Sequence, residues 1–257
     1  MAEKEEEFFI GWQGRAPVGV RGFLRKRALG LIVLGLAMAG VLALMQGTLG
    51  RAFFEFGNVK TFSGVLLKEP VPMLVADEPD ETSGAWIYYL VNPFKWGFDH
   101  EEAERLNLNW VELEGTLIFR EDGSGVNQAM IEVAKVVGSK DGQGVSPLGV
   151  EIPLGEMTLR GEIVDSKCYL GVMNPGEGKP HRACAIRCIS GGIPPVLLVR
   201  DEAGRANYFV MVDENGGSVN EAVLDLVALP VEVTGEVVQL GDRLVLKAAV
   251  SAYRLVP

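Results

Sequence analysis

Asp165-Ser-Lys-Cys168 opens a run that closes on His181-Arg-Ala-Cys184-Ala-Ile-Arg-Cys188, and this stretch holds all 3 cysteines of the chain and one of its 2 histidines. Thiolate and imidazole are the donors that zinc, copper and iron accept, and four of them close a tetrahedral structural zinc site. Pro180 suits a first helical position and Gly191-Gly192 suits a stop, so the sequence predicts a helix over 181–190. With about 100° between successive residues, His181, Cys184 and Cys188 then share an arc of about 60° on one helix face. Cys168 reaches them from the end of the preceding strand. The candidate metal ligands are therefore Cys168, His181, Cys184 and Cys188, with zinc as the favoured ion and iron or copper as alternatives.

Other chemistries compete for the same residues. There is no Cys-x-x-Cys-His for covalent haem, and the Cys-x-His and Cys-x-x-His boxes of a Rieske cluster are missing. In an oxidising compartment Cys168 could instead pair with Cys184 or Cys188 in a structural disulfide, leaving one thiol over and no metal. Thiol redox or nucleophilic work is the third reading. Lys179, Arg182, Arg187 and the helix start would favour thiolate, and His181 could serve Cys184 as base, with Asp165 as its one evident acidic partner. Without a Cys-x-x-Cys pair, a non-enzymatic role is the stronger expectation. His100, set among Phe94, Trp96 and Phe98, reads as a packing or surface residue near a helix start, and those aromatics as packing or a protein interface.

The elements that must position the cluster can be read around it. Residues 28–50 carry no charge and are long enough for a transmembrane helix, which needs roughly 20 apolar residues. Arg15, Arg21, Arg25, Lys26 and Arg27 precede the span and only Arg51 closely follows it. The positive-inside rule then leaves a cytoplasmic tail at 1–27 and exports the rest. In a bacterium this means a single-pass inner-membrane protein with its C-terminal part in the periplasm. A cleaved signal peptide is the alternative, with Ala37-Met-Ala39 as its cleavage site. Gly35, Ala39 and Ala43 form a small-residue stripe able to pack on another membrane helix. Phe8-Phe9-Ile-Gly-Trp12 suits the membrane interface or a neighbouring subunit. A net charge of −10 opposes nucleic acid as a partner.

Beyond the span, short Val/Leu/Ile stretches punctuated by Gly, Pro and Asp predict an all-β body with short helices. The body repeats itself. Trp110-Val-Glu-Leu-Glu-Gly115 matches Pro230-Val-Glu-Val-Thr-Gly235, Thr61-Phe-Ser-Gly64 parallels Thr158-Leu-Arg-Gly161, and 86–91 corresponds to 207–212. Short helices are expected at 101–106 and 219–226, and closing strands at 128–136 and 243–252. This order, with a glycine inside a strand to allow a sharp bend, is that of tandem OB-like five-stranded barrels. They would span 58–138 and 156–257 and be joined by a Gly/Ser-rich linker at 139–155. One large β-sandwich is the alternative. Lys68-Glu-Pro70 stands in the first unit where Asp165-Ser-Lys-Cys168 stands in the second, so the fold alone does not require the cysteines.

The second unit, from Gly161-Glu-Ile-Val-Asp165-Ser-Lys-Cys168 through His181-x-x-Cys184-x-x-x-Cys188 to Val231-Glu-Val-Thr-Gly235, resembles bacterial exported domains that join an OB-like barrel to an Asp-Ser-x-Cys … Cys-x3-Cys signature. That resemblance implies the fold and an extracytoplasmic location. A looser likeness, to the haem chaperone of cytochrome c maturation, extends to one anchor plus an exported OB barrel.

These readings together describe a membrane-anchored, extracytoplasmic accessory or structural subunit of a respiratory or electron-transfer assembly, carrying a Cys3His metal or cofactor site. Its partners would be membrane protein subunits and an exported redox protein. Lys167, Lys179, Arg182 and Arg187 would form a positive lip for an anionic partner surface. A metal or haem delivery factor is the runner-up function, and a thiol redox protein with a structural disulfide the third.

Overall fold

The computed structural model describes residues 14, 17–46, 51–121, 128–142, 144–202 and 204–256. The aromatic segment at 8–12 lies outside them. The described residues of the N-terminal unit form one helix, α1 (Val18–Gln46), long and apolar enough to cross a membrane. A signal sequence meets the same test. The helix starts ten residues ahead of the expected span at 28, because no breaker separates Pro17 from the apolar run; Arg21, Arg25, Lys26 and Arg27 lie on its early turns.

The described residues from Arg51 onward form one compact body. In chain order its elements are β1 (Arg51–Leu67), β2 (Met73–Ala76), β3 (Ile87–Val91), α2 (His100–Leu106), β4 (Trp110–Glu121), β5 (Gln128–Lys140), β6 (Ile152–Asp165), α3 (Arg182–Ser190), β7 (Pro195–Arg200), β8 (Ala206–Val212), β9 (Pro230–Leu240), β10 (Arg243–Lys247) and β11 (Tyr253–Leu255). Short 3-10 turns at Lys179–His181, Glu221–Leu226 and Val250–Ala252 and a π-helical turn at Cys168–Val172 complete it. Strands β1-β2-β3-β5-β4 close into a barrel, antiparallel throughout except where β3 runs parallel to β5. The other six strands form a sheet in the order β10-β8-β7-β6-β9-β11, in which β10 also pairs with β9. Among β6 to β10 the pairings repeat those of β1 to β5 strand for strand, including the parallel pair β8–β10. The internal similarity read from sequence is thus carried by equivalent strands. Two elements escaped that reading. β2 has only four residues, and β10 stops at Lys247, short of the strand expected through 252, with β11 following the 3-10 turn at Val250–Ala252.

β3 shows why the body coheres. All five of its residues are buried. Tyr88 and Leu90 point into the first barrel beside Leu66, Leu113 and Leu117, while Ile87, Tyr89 and Val91 point the other way, into a core shared with the second half. β8 does the same in mirror fashion, sending Tyr208 and Val210 to the shared core and Phe209 and Met211 to its own side. A strand covered on both faces reads as an unbroken apolar run, which is how both segments appear in the sequence. The shared core is crossed by cations: buried Arg243 donates to the Ile87 carbonyl and lies 5.1 Å from the Tyr89 ring, and buried Arg120 donates to the Tyr169 carbonyl at 2.6 Å and lies 4.2 Å from that residue's ring. The described residues of the connection at 141–151 carry no strand or helix, and Leu148 among them packs against the shared core.

Gly115 and Gly235 occupy matching places on β4 and β9, each facing the strand that closes its half. A Cβ would sit 2.7 Å from the Glu132 carbonyl oxygen at the first and 2.4 Å from the Lys247 carbonyl oxygen at the second. Substituting Gly235→Ala forces β9 off β10 and should cost about 1–3 kcal/mol, seen as a fall of several degrees in the thermal midpoint. An unchanged midpoint would show that the close approach is dispensable.

Candidate metal centre

β6 ends at Asp165, whose side chain is fully buried. Its Oδ1 accepts the Cys168 backbone N–H at 2.7 Å, capping the π-helical turn that carries Cys168. The chain then loops to Gly178 and the turn Lys179–His181, in which Pro180 holds an early position as its fixed φ requires. His181 is the cap residue of α3 and not its first helical residue, which corrects the expected helix over 181–190. It closes the 3-10 turn that leads into α3, and its buried ring meets Asp165, with 2.8 Å between Nε2 and Oδ2. Cys184 and Cys188 sit one turn apart on α3 as expected.

The sulfurs of Cys168, Cys184 and Cys188 lie within 4.8 Å of one another, and the ligating atoms of Asp165, Cys168 and His181 form a second such group. Either group could hold a metal ion. They share Cys168, and among the described residues no single group of that size takes in all four expected ligands. All three cysteines are free thiols, so the disulfide alternative is not realised. An ionised carboxylate only accepts, so the Nε2 facing Asp165 bears a proton, and in the neutral ring Nδ1 then keeps its lone pair. That Nδ1 is buried with no hydrogen-bond partner.

One residue at the site escaped the sequence reading. Lys95, in the turn after β3, places Nζ 2.8 Å from Cys184 Sγ and 3.5 Å from Cys188 Sγ. Its only signal in sequence was a lysine flanked by Phe94 and Trp96. The turn is held from two sides: Gly97 N–H donates to the Gly191 carbonyl at the end of α3, and Lys167 Nζ donates to the carbonyls of Asn92 at 3.0 Å and Phe94 at 2.7 Å while pairing with Glu132. Lys167 is 2% exposed and does not belong to a positive lip; a buried ammonium needs these partners more than a surface does. Arg182 is likewise engaged, donating to the carbonyls of Val227 and Asp225, whereas Arg187 is exposed and lies 5.5 Å from the Trp96 ring. His100 is exposed at the start of α2 and lines a cavity of about 510 Å³ away from the sulfurs.

Ionisation within the cluster is uneven. A hydrogen bond from the Cys168 thiol brings Cys188 down from 9.0 to about 7, with the Lys95 charge assisting against burial and Asp165. Cys168 is pushed far up by giving that hydrogen bond, by burial and by Asp165. Lys95 is raised by its contact with Cys184. The metal-free cluster thus pairs a thiolate with a thiol donor.

Compared with family models, curated proteins and solved structures, the chain matches none. The arrangement must be read from its own chemistry.

Two outcomes follow. Lys167→Met strips Glu132 of its buried partner and should destabilise the body by about 3–5 kcal/mol, measured by denaturant unfolding; a change near zero would show that Glu132 finds water instead. In metal-free chain, the thiolate ultraviolet absorbance should show a step near pH 7 that is absent from Cys188→Ser. Because the folded value lies below the unfolded one, the associated stability is complete above pH 9 and is lost as pH falls through about 7. A single step near 9 in the wild type would contradict this.

Proposed function

We propose that the chain is a membrane-anchored accessory subunit whose globular body is a pair of OB-like barrels, pinned where they meet by one zinc ion on Cys168, Cys184, Cys188 and His181 Nδ1. The observation that carries this reading is the buried, unpartnered Nδ1 of a histidine whose other nitrogen is held by a carboxylate. Metal-ligating histidines are oriented in this way, with the second-nitrogen partner fixing tautomer and ring plane. Three thiolates and a neutral imidazole leave a zinc site one negative charge in excess, and the Lys95 ammonium beside Cys184 and Cys188 offsets it. Four protein ligands leave no open position for a substrate, which favours a structural site over a catalytic one.

The OB-like assignment is supported by the repeated strand order, the parallel closing pair in each half and a helical segment between the third and fourth strands of each. The basic residues ahead of the apolar part of α1 favour an extracytoplasmic body. Service in a respiratory or electron-transfer assembly belongs to the same proposal. It is supported by the anchor and by Phe94 and Trp96, two exposed aromatics beside the site and suited to a protein contact. A delivery role for the metal is the second reading, favoured by Cys184 being the one cluster sulfur that is not fully buried.

Full-length chain purified in mild detergent should hold about one zinc per chain through dialysis, and Cys168→Ser or His181→Ala should lose it. Asp165→Asn should weaken zinc binding about 10- to 100-fold by releasing the His181 ring. Metal that leaves to a weak chelator and passes to an acceptor would favour delivery, and a chain that binds no soft metal would end both readings. Co-purification of membrane subunits tests the assembly.

A further inference from the structure

We propose that Lys95 and Cys184 are a covalent modification site, at which peroxide installs a reversible Nζ–O–Sγ bridge between the two halves of the body. An N–H···O hydrogen bond spans about 2.7–3.2 Å, most often about 2.9–3.0 Å, and sulfur is the larger atom, so an N–H···S contact should be longer. The 3.5 Å between Lys95 Nζ and Cys188 Sγ is of that kind. The 2.8 Å between Lys95 Nζ and Cys184 Sγ falls in the range of bonds to oxygen and is short for a bond to sulfur. A direct nitrogen–sulfur bond would be much shorter still, and one intervening oxygen atom fits the gap.

The position is also built. Phe94, immediately before Lys95, holds φ at +64° with its side chain 83% exposed. A non-glycine residue in that region costs about 1–3 kcal/mol and persists only where its surroundings enforce it. Here buried Lys167 grips the Phe94 carbonyl, and Gly97 is bonded to the end of α3, so the backbone on both sides of Lys95 is fixed against the helix that carries Cys184. Cys168 and Cys188 are buried, whereas Cys184 and Lys95 are both partly exposed, so a small oxidant meets this pair first.

The chemistry balances with two equivalents of hydrogen peroxide. In the first step the Cys184 thiol becomes a sulfenic acid and one peroxide is reduced to water. In the second, the Lys95 ammonium gives its extra proton to water, the sulfenic O–H and the resulting amine each give up one hydrogen, the N–O bond forms, and the second peroxide is reduced to two waters. Dithiol reductants reverse the bridge by breaking it at sulfur. Bridging withdraws Cys184 as a metal ligand, but the proposal does not rest on the metal reading, and its test uses chelator-stripped chain.

Full-length chain in detergent, stripped of metal, is treated with hydrogen peroxide and its intact mass is measured. The bridge adds about 14 Da, one oxygen gained and two hydrogens lost, whereas a sulfenic acid adds about 16 Da and a disulfide or direct N–S link removes about 2 Da. Trypsin cleavage after Arg182 and Arg187 isolates Cys184 from Cys188, so the expected product is peptide 183–187 joined to the peptide containing Lys95, released by dithiothreitol. Lys95→Arg should abolish the 14 Da product and leave oxygen additions on Cys184. Oxygen additions without a linked peptide, a 2 Da loss, or a link ending at Cys188 would overturn the assignment.

Discussion

Burying a lone carboxylate costs several kcal/mol, and a protein that places one at zero exposure must satisfy its oxygens in place. At Asp165 one oxygen takes the Cys168 N–H and the other takes the His181 ring. The first bond starts the turn that lifts Cys168 off the end of β6, and the second brings a loop of a dozen residues back to the same point. Once His181 is pinned, α3 begins at a fixed place, and Cys184 and Cys188 follow from helix geometry alone. The site is assembled by one acidic side chain, and the sulfurs are its dependents.

The same logic extends to the surroundings. Lys167, next in line after Ser166, is driven inward with its charge and finds Glu132 and two carbonyls of the turn at 92–94. That engagement carries Lys95 to the sulfurs from the opposite half of the body. A core shared by β3 and β8, crossed by Arg120 and Arg243, keeps the halves in register, so a group contributed by one half can be placed to within hydrogen-bonding distance of a group on the other.

Much of this was legible before any coordinates. Cys168, Cys184 and Cys188 announce themselves by type and spacing, and the repeated Val-Glu-x-x-Gly strands and the unbroken apolar runs at 86–91 and 208–212 carry the strand pattern, since a strand covered on both faces has no polar side to show. What failed to show had three separate causes. The four-residue β2 is too short to display a period. The role of His181 depends on whether it is the cap or the first residue of a helix, a one-residue distinction that Pro180 does not resolve in sequence. Lys95 and Lys167 act across separations of about ninety and thirty-five residues respectively, and charge on a lone lysine says nothing about which distant partner will neutralise it. Contacts between halves are a property of the packed body, and no local window contains them.

The account stands on His181 Nδ1 joining three sulfurs around one ion. X-ray absorption of the zinc-loaded chain measures this directly: three sulfurs near 2.3 Å and one light atom at about 2.0–2.1 Å are expected, with the imidazole scattering lost in His181→Ala. A shell of nitrogen and oxygen alone, or one with fewer than three sulfurs, would contradict it.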